Sequence, residues 1–300
     1  MKVLITGACG WVGRELTKVL AEAGHTLRLT DIADPAEATM FVPGREGRVK
    51  APIKLDWPFV RADLCDGAAM QAACEGMDAV VHLGTVSSGL YDHGKEVMQA
   101  SVVGTWVVMD AARREGVGRM CYASNVNAYG TFYWRVSGKA SVYTTMPLRE
   151  DEFAPVPEDP YSLGKYFNEL TAASFHRAFG GKYAGLRFAG LWTEELYRQR
   201  LENPEPTKEW SDGLYQWVHY ADVVAGIRKA LECPTLPECD VYLLGAADTT
   251  QPESTMEILH RFRPDLVRTM KSEIAGRGAL VSIDRAKVAF GYAPIHRLGV

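Results

Sequence analysis

A chain of 300 residues, 47% of them hydrophobic, can bury one large α/β core with a modest second lobe. Its formal net charge of −4 comes without an arginine-rich run or a basic face, which argues against nucleic acid or an anionic membrane as partner. No apolar run approaches a membrane span, and the apolar N-terminus reads as a strand rather than a leader, so a soluble, cytoplasmic protein is expected.

Val3, Leu4 and Ile5 suit a buried parallel strand, and Leu16, Val19 and Leu20 follow at helical spacing. Between them Gly7, Gly10 and Gly13 sit three apart. Such a turn lets the backbone approach a pyrophosphate without a Cβ in the way, and the new helix points its free amides at the phosphates. A second strand, Leu27 to Thr30, ends on Asp31, placed to accept hydrogen bonds from adenosine ribose hydroxyls and to repel a 2′-phosphate. This favours NAD over NADP; the alternative for Asp31 is a turn former or helix cap.

A polar stretch to about Trp57 reads as surface loops with a short helix. Phe59 and Val60 begin a third strand that leads to Asp63, which either reaches the adenine amino group or caps a helix from Gly67 to Cys74. Asp78 to Leu83 is a fourth, central strand, and the small residues from Gly84 to Ser88 let the backbone lie along a cofactor. A helix from Glu96 to Glu115 is stopped by Gly116, and Met120 to Ala123 is a fifth strand. Strands alternating with helices imply an α/β doubly wound parallel sheet, with ligands beyond the carboxyl ends of the strands, where Gly10, Gly84 and Ser124 lie. The segment from Asn125 to Pro160 carries Tyr129, Phe132, Tyr133 and Trp134 and is long enough to cover the site.

Asp159 and Pro160 introduce a helix in which Tyr161 and Lys165, four apart, share one face. An ammonium roughly 5 Å from a phenol, at an effective dielectric near 20, favours the phenolate by about 3 kcal/mol, which would lower its pKa by ~2. Tyr161 could then exchange a proton with a substrate hydroxyl. Tyr183 to Phe188 is a sixth strand. Thr193 to Gly213 reads as short and polar, with Arg198 and Arg200 as cations suited to a carboxylate or phosphate, or simply solvated. Asp222 begins a helix, Val241 to Leu244 makes the last strand, and residues from Thr250 onward, with Pro252 at a helix start, end in a polar tail. The six cysteines, Cys9, Cys65, Cys74, Cys121, Cys233 and Cys239, show no CxxC and no histidine at ligand spacing. No metal site is suggested, and a Cys233–Cys239 pair is the one bridge to consider.

Taken together, the glycine triplet, Asp31, Asp63, the Gly84 strand end, Ser124, Tyr161 with Lys165, and Trp217-Val-His-Tyr-Ala-Asp222 resemble the extended short-chain dehydrogenase/reductase family over nearly the whole chain. The resemblance implies an NAD-binding Rossmann domain, 1–188 plus 218–246, and a small substrate lobe, 189–217 plus 247–300. It makes Tyr161 the catalytic acid/base and Lys165 the residue that grips the nicotinamide ribose and lowers the tyrosine pKa. Implied cofactor contacts are Gly7, Gly10, Trp11, Val12, Gly13, Asp31, Asp63, Leu64, Leu83, Gly84, Thr85, Tyr161 and Lys165.

The family usually has Ser or Thr five residues before the glycine of Tyr129-Gly130. Here that position is Asn125, with Ser124 one step earlier, so the two share the substrate-orienting role. Val126 and Asn127 stand where dehydratases of the family carry an Asp-Glu pair, which argues against dehydration. The Asn-rich turn of nucleotide-sugar epimerases is missing after Phe188. His82 to Ser87, the Ala123-Ser-Asn run and the short lobe are most similar to the uronate dehydrogenase branch. That likeness makes Ser87, Asn125, Asn127 and Arg198 or Arg200 substrate contacts and the substrate a small carbohydrate or sugar acid. An epimerase that retains NAD is the alternative, a non-catalytic NAD sensor a weaker one, and a homodimer paired through the Tyr161 helix is implied by resemblance.

Overall fold

The computed structural model describes residues 1–41, 48–130 and 135–299. Along the chain run β1 (Lys2–Thr6), α1 (Trp11–Glu22), β2 (Thr26–Asp31), β3 (Thr39–Phe41), β4 (Arg48–Lys50), β5 (Phe59–Arg61), α2 (Gly67–Cys74) and β6 (Ala79–His82). Then come α3 (Gly94–Met98), α4 (Thr105–Arg114), β7 (Arg119–Asn125), α5 (Pro160–Phe179), β8 (Lys182–Phe188), β9 (Leu191–Trp192) and α6 (Glu194–Glu202). The chain finishes with β10 (Val218–His219), α7 (Tyr220–Glu232), β11 (Cys239–Leu244), α8 (Thr255–Phe262), α9 (Pro264–Val267) and α10 (Asp284–Phe290).

Seven strands form one parallel sheet in the order β11-β8-β7-β6-β1-β2-β5, so the chain reverses its direction of build between β1 and β6. In doubly wound sheets such a reversal is where the ligand crevice lies, beyond the carboxyl ends of the strands. Alternation along β1 sets the two layers. Val3 and Ile5 join Leu16 and Leu20 of α1 and Ile227 and Leu231 of α7, whereas Leu4 joins Met70 of α2, Val108 and Met109 of α4 and Phe175 of α5. The first core continues without a break into the C-terminal part through Ile258, Leu259 and Leu280. The expected doubly wound α/β sheet is therefore present, and the C-terminal elements share its core.

Local differences from the sequence expectation have physical causes. The single helix expected over 96–115 is α3 and α4 joined by a π turn, Gln99–Gly104. That wide turn carries Ser101 to Thr85, 3.1 Å between hydroxyl oxygens, and Thr105 to His82 Nε2 at 3.0 Å. The polar stretch before Trp57 holds a 3-10 turn at Pro35–Glu37 and an antiparallel β3–β4 hairpin. The polar segment after Thr193 contains α6, a helix with no buried residue and hence no apolar stripe to announce it. α7 begins at Tyr220, two residues before the expected start, because the His219 side chain caps it by accepting from Ala221 N at 3.3 Å. α8 begins at Thr255 rather than at Pro252, since Ser254 and Glu257 form a reciprocal capping box.

The polar tail is tied down: Asp222 accepts from Ile295 N and His296 N, both at 3.1 Å, and Asp248 accepts from Leu298 N and Gly299 N at 2.7 and 2.9 Å. All six cysteines are free thiols, so the Cys233–Cys239 bridge is absent; Cys233 Sγ instead lies 3.4 Å from Ala289 O. Among the described residues no helix is long and apolar enough to cross a membrane.

Candidate active site

The glycine turn is built by exclusion. Gly7 has φ +71°, and a Cβ on it would lie 2.7 Å from Gly84 N; a Cβ on Gly13 would lie 2.3 Å from Gly7 O. The loop from β1 thus touches the loop from β6 and the first turn of α1 with nothing between. Asp31 supports it from β2: its carboxylate accepts from Cys9 N at 2.9 Å and Ala33 N at 3.0 Å, so it is a turn former here as well as standing at the strand end. Trp11 leaves the loop to lean on Tyr220 at the start of α7, ring centroids 5.7 Å apart, and Val12 packs partly buried on the core.

Asp63 accepts from Cys65 N at 2.8 Å, and the cap of α2 is Asp66 instead, which accepts from Ala69 N at 3.0 Å. Leu64 fills the space that side chains on Gly84 or Gly104 would need, each such Cβ falling 2.8 Å from it. Leu83 N donates to Thr6 O at 3.2 Å, continuing the β6 ladder into the crevice.

Beside this crevice stands the N-terminal end of α5. Asp159 caps it, accepting from Tyr161 N at 2.9 Å and Ser162 N at 3.0 Å, with Pro160 in the first turn. Tyr161 is buried, and its phenol hydrogen-bonds Ser87 from the loop after β6. The Lys165 ammonium, also buried, sits 5.5 Å from the Tyr161 ring centroid and donates to Ala123 O of β7 at 3.0 Å. The two side chains therefore meet as their spacing implies.

Their electrostatics differ from the simple expectation. Burial, and secondly the Asp159 carboxylate, push the Tyr161 phenol well above its ordinary value, with the Ser87 hydrogen bond the one lowering influence. Lys165 bears the cost of sharing that space: burial lowers it to about 8, against the attraction of Glu169. Burial rather than the neighbouring amine thus sets the direction of the phenol's shift.

Strand alternation separates the two orienting candidates. Ser124 is buried and donates to Glu169 Oε1 at 2.6 Å, while Asn125, half-buried, ends the strand and accepts from Asn127 N at 2.9 Å. Asn127 itself is buried, with its side-chain carbonyl oxygen unpartnered among the described residues. Arg198 lies on α6 with its side chain 70% exposed and pairs with Glu194 at 2.6 Å, four residues away; it is not brought to the Tyr161 group. Phe132, Tyr133 and Trp134 lie outside the described residues, and Tyr129 is buried beneath the Arg187 guanidinium at 4.2 Å.

Sequence reasoning passed over Glu169 and Arg187, although Glu169 stands one further helical step past Tyr161 and Lys165. It also passed over a group formed by Glu194, His219 and His296, which offer ligand-type atoms within 4.8 Å of one another. In that group His219 Nδ1 accepts from Ala221 N, while the buried Nε2 lies 3.2 Å from a Glu194 carboxylate oxygen without hydrogen-bond geometry.

A glycine cradle and a buried Tyr161–Lys165 pair thus stand together at the switch point of a doubly wound α/β sheet. The family model described as NAD dependent epimerase/dehydratase family matches residues 3–245, and the chain belongs to that family. It is 27% identical over 241 residues to a uronate dehydrogenase of Pseudomonas syringae pv. tomato, covering 80% of this chain and 73% of the relative. A dTDP-glucose 4,6-dehydratase of Streptomyces antibioticus is 30% identical over 312 residues, 98% of this chain and 88% of the relative. Among solved structures, the UDP-glucose 4-epimerase of Thermotoga maritima with UDP-glucose superposes with a TM-score of 0.69 at 21% identity, covering 98% of this chain and 94% of the other.

Proposed function

We propose that this protein is an NAD-dependent oxidoreductase acting on a hydroxyl of a sugar or sugar acid, with Tyr161 as its acid/base. The observation that carries this is the convergence of Tyr161, Lys165 and Ser87 beside the glycine cradle at the switch point of the sheet. The cradle fits a dinucleotide, since Gly7 and Gly13 leave room only where backbone meets backbone. Gly7, Gly10, Trp11, Val12 and Gly13 would hold its pyrophosphate, Asp31 its adenosine ribose, Asp63 and Leu64 its adenine side, and Leu83, Gly84, Thr85, Tyr161 and Lys165 its nicotinamide half. When bound, NAD supplies a hydride acceptor.

The chain's own residues handle the proton. Tyr161 Oη accepts it from the substrate hydroxyl, Lys165 as an ammonium favours the phenolate, and Ser87, Asn125 and Asn127 orient the hydroxyls of the sugar. Ser124 joins that role through the backbone it steadies, because its hydroxyl is already given to Glu169. Arg198 meets a substrate carboxylate only by leaving Glu194. Residues 189–217 and 247–300 form the substrate side and 1–188 with 218–246 the cofactor side.

The uronate dehydrogenase relative supports a free sugar acid as substrate, and the short segment between β9 and β10 fits a small one. The second reading, an epimerase that retains NAD, draws support from the epimerase fold likeness over almost the whole chain. Incubation with NAD and a panel of sugars and sugar acids separates them. Growth of NADH absorbance marks a dehydrogenase, and isomerised product without NADH marks an epimerase. Neither outcome with any substrate would refute both.

Two further parts of the reading are a cytoplasmic location and a homodimer. The exposed apolar side chains Val103, Trp106, Phe167 and Leu170 on the α4 and α5 side support pairing through that face. Sedimentation at micromolar concentration tests it: a monomer would remove the dimer.

A further inference from the structure

Glu169 lies on the α5 face already occupied by Tyr161 and Lys165, at successive four-residue steps, and is 7% exposed. Its carboxylate receives Arg187 Nε at 2.8 Å, Arg187 Nη2 at 2.7 Å and Ser124 Oγ at 2.6 Å. Ser124 and Arg187 are direct cross-strand partners in the β7–β8 ladder, so the carboxylate clamps one rung of the sheet to the helix. The residue before Ser124 is Ala123, whose carbonyl accepts from Lys165. The Arg187 guanidinium also covers the Tyr129 ring in the turn that carries Asn127.

Charges make the arrangement asymmetric. Of two buried cations near one buried carboxylate, Arg187 holds it with a two-pronged grip, while Lys165, one helical turn before Glu169, donates to Ala123 O and feels the carboxylate through space. Arginine cannot give up its proton in a protein, whereas a buried lysine can. The other ionisable groups facing Lys165 are Tyr161 on its own helix and His82 of β6, which is neutral between Thr6 and Thr105.

We propose that Glu169 is a positioning residue of the acid/base centre: with Arg187 as counterweight, it keeps Lys165 an ammonium and aims it by fixing the Ala123–Ser124 strand end. The proposal rests on Tyr161 and Lys165 being the acid/base pair. Glu169→Gln keeps the shape and removes the charge, so Lys165 loses its proton at lower pH. Arg187→Met frees the carboxylate for Lys165 and moves that titration upward.

The test is the Lys165 side-chain titration followed by NMR, together with the pH profile of kcat, in wild type and both variants. Expected are opposite shifts, each about one pH unit or more, with the alkaline limb of kcat following and NAD affinity unchanged. Should Glu169→Gln not fold, Glu169→Gln/Arg187→Met leaves no unpaired guanidinium and is read against Arg187→Met alone, with the same downward shift expected. Unmoved titrations, or shifts of both variants in one direction, would overturn the proposal. Full activity in Lys165→Met would instead remove the reading beneath it, and the NMR titration would still report whether Glu169 governs the amine.

Discussion

The glycine turn after β1 and the end of β7 face the same crevice, yet they are made in opposite ways. The turn is a matter of backbone: missing Cβ atoms let Gly7, Gly13 and Gly84 approach one another, and the supporting carboxylate of Asp31 grips amides. At the β7 end the arrangement is made by side chains from four places in the chain, Ser87, Ser124–Asn125, Tyr161–Lys165–Glu169 and Arg187. A backbone site tolerates no added atom, and a side-chain site tolerates no lost charge or misplaced hydroxyl. The first should bind without chemistry, and loss of a group from the second should cost turnover more than cofactor binding.

The sharpest way to break this contrast is Tyr161→Phe. The ring and its packing remain while the proton acceptor goes, so kcat should fall about 10² to 10⁴-fold with NAD affinity unchanged. Turnover and cofactor titration of the same preparation check it; equal loss of both would erase the division of labour.

Gly13→Ala attacks the other side. Its Cβ must enter space 2.3 Å from Gly7 O, a backbone atom that cannot swing away, which predicts a stability loss of about 3 kcal/mol and failure to bind NAD. A variant with unchanged thermal unfolding and normal NAD binding would show that the turn is not close-packed.

Asp31→Ala tests whether a side chain also matters at the backbone site. Loss of the carboxylate should relax preference for NAD over NADP by about tenfold, or ~1.4 kcal/mol, and loosen the Cys9 amide. Unchanged discrimination in parallel Kd measurements would place selectivity elsewhere.

A pH-dependent effect concerns His82, whose ring bonds Thr6 of β1 and Thr105 of α4. Burial, then the Lys165 charge, hold its pKa at about 3 against an ordinary value of 6.5, and both ring nitrogens are engaged by Thr6 and Thr105. Between those values the unfolded chain binds more protons than the folded one. Stability should therefore fall as pH drops from 6.5 towards 3, by up to ~1.4 kcal/mol per pH unit. His82→Gln should flatten that slope in urea unfolding at several pH values; an equally steep loss would assign it to carboxylates.

The two regions also differ in how far they could be read in advance. A glycine at a positive φ or a crowded contact leaves its mark as a residue type, and the parallel strands leave theirs as short apolar runs. The turn, Asp31 and the seven-stranded sheet were accordingly visible. The pairing of Tyr161 with Lys165 was visible too, since both stand on one helix and four-residue spacing suffices. The direction of the Tyr161 shift was not, because desolvation depends on everything packed around the phenol rather than on its helical neighbour.

What the order of residues determined by itself is the part governed by local rules: strand and helix periods, turn glycines and the spacing on α5. Only the folded chain decided the rest. It turned Ser124 towards Glu169 and left Asn125 at the strand end, gave Arg198 to Glu194, inserted a π turn where one helix was expected, and gathered His219 and His296 from 77 residues apart. Side-chain partners across such separations follow from register and layer packing, which no local pattern encodes.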